Sequence, residues 1–137
     1  MTTPAPTHFD TAARDWDQRP MSLQLAAVPE SLLAQLPLQA SDDVLDFGAG
    51  TGLLSVPIAP KVAQVTALDM SAAMLQVLDE KGFANITTLQ QDIFAGLPGR
   101  YHTVVNCMTL HHVEKTTALL RAFAAALHPG GRIALVD

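Results

Sequence analysis

The stretch VLDFGAGTGLLS, residues 44–55, decides the fold. Val44-Leu45-Asp46-Phe47 is a short apolar run that ends in glycines, the pattern of a buried strand running into a turn. Gly48, Gly50 and Gly52 follow, and an apolar segment resumes at Leu53. A strand, a glycine bend and a helix form the place where open α/β sheets bind ligands, beyond the carboxyl ends of their strands. Glycine lets the backbone turn tightly there and approach a ligand that a Cβ would block. The spacing is GxGxG. A dinucleotide fingerprint, GxGxxG, would need glycine where Leu53 stands. Asp46 precedes the first glycine by two residues. A pyrophosphate wants a bare helix N-terminus; a carboxylate at the strand end suits a ligand that carries an ammonium group.

Working outward, four more strand-like runs are predicted at 64–69, 86–89, 103–106 and 132–136. Helical stretches lie between most of them. Ser71 can cap a helix whose Met74 and Leu78 share a face, and Gly82 can end it. Leu120, Phe123, Ala124 and Leu127 follow helical spacing, and His128-Pro129-Gly130-Gly131 is read as the stop of that helix. Apolar strands alternating with helices imply an α/β fold: a doubly wound, mainly parallel, Rossmann-like sheet with helices on both faces. Residues 1–40 read as an N-terminal tail and helices, with helical pieces over 9–36 interrupted at Pro20, Pro29 and Pro37. Residues 41–137 read as the ligand-binding core of one overall domain.

Composition narrows the functional classes. The chain has 137 residues, 49% of them apolar, and a net charge of −5. Its only lysines are Lys61, Lys81 and Lys115, so no nucleic-acid footprint shows. No apolar stretch is long enough for a membrane span, and no export signal is visible. Cys107 is the sole cysteine, which excludes an internal disulfide and suits a cytoplasmic location. Cys107 reads as a small buried hydrophobe, since no supporting base for a thiol nucleophile is identifiable.

The chain resembles the class I, S-adenosylmethionine-dependent methyltransferases of small-molecule type. VLDFGAGTGLLS carries most of the likeness; FDTAARDWDQRP (9–20), CMTLHHV (107–113) and LHPGG (127–131) add to it. The resemblance implies S-adenosyl-L-methionine as cofactor and the strand order 3-2-1-4-5, with the usual last two strands of a seven-stranded sheet lacking. It assigns Asp46, Phe47, Gly48, Ala49, Gly50 and Gly52 to the cofactor bend. Asp69, about twenty residues on, would accept hydrogen bonds from the ribose hydroxyls, as in dinucleotide folds; its other reading is a capping or loop acid beside Ser71. Met70 would lie against the adenine, or fill core. Asp92 would meet the adenine amino group and the Ile93 backbone N–H the ring, with a solvated loop acid as the alternative. Asn106 would face the methionine portion.

The implied reaction is attack of a small-molecule acceptor on the sulfonium methyl group. No catalytic residue is assigned; His111 and His112 are the candidates for a general base. No metal site is expected, because adjacent histidines do not share a face and no carboxylate has the expected spacing. His8, His102 and His128 read as surface or packing residues. Two departures from the family pattern stand out: His102 where an aspartate is common before the fourth strand, and His128 where a lysine is common before Pro129. No NPPY-like motif follows the fourth strand, which argues against adenine methylation. A fifth strand ending at the last residue would expose an apolar edge, so a truncated product or a homo-oligomer formed through that strand is predicted. Two alternatives remain: a cofactor-binding module without turnover, and an NAD-dependent dehydrogenase.

Overall fold

The computed structural model describes residues 28–92, 94, 99–107 and 116–136. The elements run α1 (Val28–Gln35), β1 (Asp43–Phe47), α2 (Ser55–Ile58), β2 (Gln64–Asp69), α3 (Ala72–Glu80), β3 (Ile86–Gln90), β4 (Tyr101–Cys107), α4 (Thr116–Ala125) and β5 (Leu127–Val136), with a 3-10 turn at Ala59–Lys61. The five strands form one sheet in the order β3-β2-β1-β4-β5. Every pairing is parallel. Fold class and strand order are as expected.

A central parallel strand is covered on both faces, so its apolar side chains cannot simply alternate with polar ones. β1 shows this: Val44, Leu45 and Asp46 are all buried. Leu45 joins Leu68, Val104, Leu119 and Phe123 in one core cluster. Val44 joins Ile58, Val65 and Val105 in another, against which Leu32, Leu33 and Leu36 of the α1 region pack. Ala67, Leu75 and Leu78 form a third where α3 packs on the sheet.

Local signals explain the element ends. The Ser71 hydroxyl accepts the Met74 amide at 3.3 Å and caps α3. Gly82, at φ +77°, ends that helix. Pro29 lies in the first turn of α1, where its missing N–H has no intrahelical partner to lose. The helical pieces expected before residue 28 lie outside the described residues.

Two expectations need correction. The α4 face toward the sheet is formed by Leu119, Phe123 and Ala126, whereas Leu120 is exposed. The stretch 128–131 does not simply stop α4. It lies inside β5, where Tyr101 pairs with Leu127 but Thr103 already pairs with Arg132. The extra residues form a bulge, with Gly130 at φ +79°. A Cβ on Gly131 would sit 2.9 Å from the His128 carbonyl oxygen and 3.1 Å from that of His102.

Phe123 is fully buried, and its ring meets Phe47 edge-on at 5.1 Å between centroids. Phe123→Ala is expected to cost about 3–5 kcal/mol in urea unfolding, the range for large aromatic truncations. Leu120→Ala should stay within about 0.5–1 kcal/mol. Equal losses would show that the helix face is misassigned.

Candidate cofactor site

The register of the sheet builds the site. Phe47, at the end of β1, is level with Leu68 on one side and Asn106 on the other. The glycine bend therefore emerges between two strand ends. Its first two amides, of Gly48 and Ala49, both donate to the Leu68 carbonyl at 2.8 and 3.0 Å. The Gly52 amide then donates to the Ala49 carbonyl at 2.9 Å and closes the turn.

Two glycines carry distinct requirements. Gly52, at φ +98°, has no room for a side chain: a Cβ would lie 2.5 Å from Leu78 Cδ1 of α3. Gly50, at φ +56°, faces open space instead. Gly52 is needed for packing, and Gly50 leaves bare backbone turned outward. Lys81 Nζ donates to the Thr51 carbonyl at 2.7 Å and holds the far side of the bend to the end of α3.

Asp69 ends β2 and accepts two backbone amides. Its Oδ2 takes the Gly50 N–H at 2.9 Å and its Oδ1 takes the Ser71 N–H at 2.8 Å. The reading of Asp69 as an acid beside Ser71 is present in this geometry: it organises the turn into α3 and also holds the glycine bend. Met70 follows and is 71% exposed. Gln90 Nε2 donates to the Met70 carbonyl at 3.2 Å and ties the ends of β3 and β2 together. Asp92 is exposed, and its Oδ1 accepts the Phe94 amide at 2.9 Å in a tight turn. Phe94 itself is 52% exposed. Met70 and Phe94 thus leave exposed apolar groups beyond the ends of adjacent strands.

Asp46 lies deeper than its strand-end position implied. It is buried, and its Oδ2 accepts the Ser55 hydroxyl at 2.6 Å. Burial pushes its carboxyl up from the ordinary 3.8 to about 7; the Ser55 hydrogen bond opposes that rise and the nearby Asp69 charge adds to it. Asn106 is fully buried. Its Nδ2 donates to the Phe47 carbonyl at 2.7 Å, which fixes the amide orientation. Its Oδ1 has no partner among the described residues. A buried acceptor left unpaired costs about 1–3 kcal/mol, so the geometry calls for a donor there.

A glycine bend, an acid at the end of β2 and a buried amide at the end of β4 converge at one end of the sheet. A family model described as a methyltransferase domain matches residues 44–131, which span all three. The chain belongs to the class I, S-adenosylmethionine-dependent methyltransferase family. Among curated methyltransferases, it is 37% identical over 134 residues to the ubiquinone biosynthesis O-methyltransferase of Xanthomonas euvesicatoria pv. vesicatoria, covering 90% of this chain and 56% of that protein. The chain thus spans about half the length of that methyltransferase. Among solved structures, DhpI in complex with SAM and HEP superposes with a TM-score of 0.82 at 28% identity, covering 95% of this chain and 62% of DhpI. The complex of DhpI with SAH gives 0.78 at 26%, covering 95% and 67%.

In this chain, the structure brings Asp46, Phe47, Gly48, Ala49, Gly50, Gly52, Asp69 and Asn106 to one end of the sheet. Met70 and Asp92 lie at its β2 and β3 side. Ile93, His111 and His112 lie outside the described residues, as does the Cys107 side chain. Sequence reasoning passed over Ser55, Lys81 and Phe94. Only Ser55 left a signal, a hydroxyl just past the glycine bend. No helix among the described residues is long and apolar enough to cross a membrane.

The raised Asp46 pKa has a definite sign. In the fold this acid holds its proton between about pH 4 and 7, while the unfolded chain has lost it. Its contribution to stability therefore falls as pH rises through that window, by at most about 4 kcal/mol. Unfolding curves of wild type and Asp46→Asn should diverge accordingly, with wild type losing stability relative to the variant from pH 4 to 8. Parallel curves would show that Asp46 titrates normally.

Proposed function

We propose that this chain binds S-adenosyl-L-methionine at the glycine bend and transfers its methyl group to a hydroxyl oxygen of a small-molecule acceptor. The observation that carries the reading is the unpaired Oδ1 of buried Asn106, level with the glycine bend across the β1–β4 pair. A cationic donor such as the ammonium of the cofactor's methionine end would satisfy it. The names of the similar proteins support the same reading, both for the cofactor and for an oxygen acceptor.

The residues present fit this cofactor. Asp69 would accept the ribose hydroxyls beside Gly50, whose missing side chain leaves open space. Met70 and Phe94 would supply apolar area for the adenine, and Asp92 would meet its amino group. When bound, the cofactor supplies a methyl group already activated by a sulfonium leaving group. The protein's work is then chiefly alignment, because holding acceptor oxygen, methyl carbon and sulfur in line can supply several kcal/mol. Asn106 and the bend would hold the methionine end, and the Ser55–Asp46 hydrogen bond ties the start of α2 to the end of β1. His111 or His112 receives the acceptor's hydroxyl proton as attack begins.

Self-association through β5 belongs to the same reading. Leu135 of this strand is 38% exposed, and the strand pairs on one side only among the described residues. Light scattering should show an assembly larger than one chain; a monomer at high concentration would remove this part.

Calorimetry with S-adenosylmethionine should show one site, and Asn106→Ala should weaken it about tenfold or more, as for loss of a hydrogen bond to a charged group. No heat from wild type would sink the cofactor assignment. Incubation with methyl-labelled cofactor and hydroxylated aromatic acceptors should then yield labelled ether. Binding without transfer to any acceptor would favour a cofactor-binding module instead. Nothing in the fold or its relatives favours the NAD-dependent dehydrogenase.

A further inference from the structure

The two positions at which the chain departs from the family pattern, His102 and His128, meet in space. Their rings lie 4.5 Å apart between centroids, tilted by 38°. Asp43 completes the group: one donor atom each from Asp43, His102 and His128 all lie within 4.8 Å of one another, and all three residues are half-buried. We propose that these three side chains bind a zinc-class divalent cation at the amino ends of β1, β4 and β5, the end of the sheet opposite the glycine bend.

The donor set has the right chemistry. Two imidazole nitrogens and one carboxylate oxygen suit zinc and its first-row neighbours, with water completing the shell. Bonds of about 2.0–2.1 Å place tetrahedral donors roughly 3.3 Å apart. Small side-chain rotations close the present spread to that distance. With the cation on His102 Nε2 and Nδ1 protonated, Asp42 would give the outer support that metal-bound histidines use. Its Oδ1 stands 4.0 Å from His102 Nδ1, and its Oδ2 is held by the Gln39 amide at 2.9 Å.

The fold presents these residues where three strands begin. Asp43 opens β1, and its amide donates to His102 Nδ1 at 2.9 Å. His128 stands in the β5 bulge. Gly131 lets that bulge press against the carbonyl oxygens of His128 and His102, where a Cβ would collide. Loading the cation exchanges the Asp43–His102 hydrogen bond for a metal bond, either at Nδ1 itself or after Nδ1 turns toward Asp42. The bound ion then links three strands, including β5, which pairs on one side only among the described residues. It lies about 13 Å from the bend, the rise of four strand residues, so its effect is on stability rather than on the reaction.

The test uses the full chain stripped of metal, then titrated with Zn2+ by calorimetry and with Co2+ by visible absorption. One equivalent of Zn2+ should bind, Co2+ should give ligand-field bands, and the thermal midpoint should rise with added Zn2+. His102→Gln and His128→Lys should each weaken Zn2+ binding about tenfold or more. Both variants should keep wild-type circular dichroism without metal, and His111→Gln/His112→Gln should bind Zn2+ like wild type. Absence of stoichiometric uptake would overturn the proposal. So would uptake unchanged in both His102→Gln and His128→Lys, or uptake lost only with His111 and His112.

Discussion

Two amides, those of Gly48 and Ala49, share the single carbonyl of Leu68, and everything at the cofactor end depends on that junction. It exists because parallel pairing sets Phe47 level with Leu68, so the chain leaving β1 passes directly over the end of β2. The bend then has to turn within five residues, and three positive-φ glycines make the turn. Asp69 accepts the next free amide of the bend, that of Gly50, and the first amide toward α3. Strand β2, the bend and α3 thus become one hydrogen-bonded unit, with bare backbone on its outer side.

Beneath this unit lies an unfavourable element. Asp46 is a buried acid, and hydrogen bonds from the Ser55 hydroxyl and backbone offset only part of its desolvation. A carboxyl poised near neutrality, close to the Asp69 carboxylate, makes this end of the sheet responsive to positive charge. A cation held nearby would favour the ionised form of Asp46, and the same linkage means that an ionised Asp46 would favour the cation. The unpaired Asn106 oxygen points to the same need from the other strand.

The opposite end of the sheet follows a different logic. There the strands begin, and the polar side chains of Asp42, Asp43, His102 and His128 gather at the rim. The β5 bulge turns His128 back toward His102, and Asp43 and Asp42 close the group from β1. One five-stranded sheet thus separates a ligand-facing carboxyl end from an amino end whose side chains can hold its outer strand in place.

How much of this was legible in the sequence follows from the range of each interaction. Short-range patterns were readable: VLDFGAGTG announced a strand and its bend, QVTALD a second strand, and Ser71 and Gly82 the ends of α3. In each case neighbouring residues settle the backbone. The strand order and the candidate cofactor residues were legible only because the motifs resemble a known family. The Leu119 face of α4 was misread because a one-residue shift in helical phase leaves a plausible apolar stripe, and only packing on β1 and β4 selects between the two. The bulge at 128–131 was misread because Pro-Gly-Gly commonly stops a helix, whereas here pairing with β4 draws it into the sheet. The burial of Asp46, the unpaired oxygen of Asn106 and the meeting of Asp43, His102 and His128 left no pattern along the chain. They depend on contacts between strands far apart in sequence, which spacing does not encode and only tertiary packing creates.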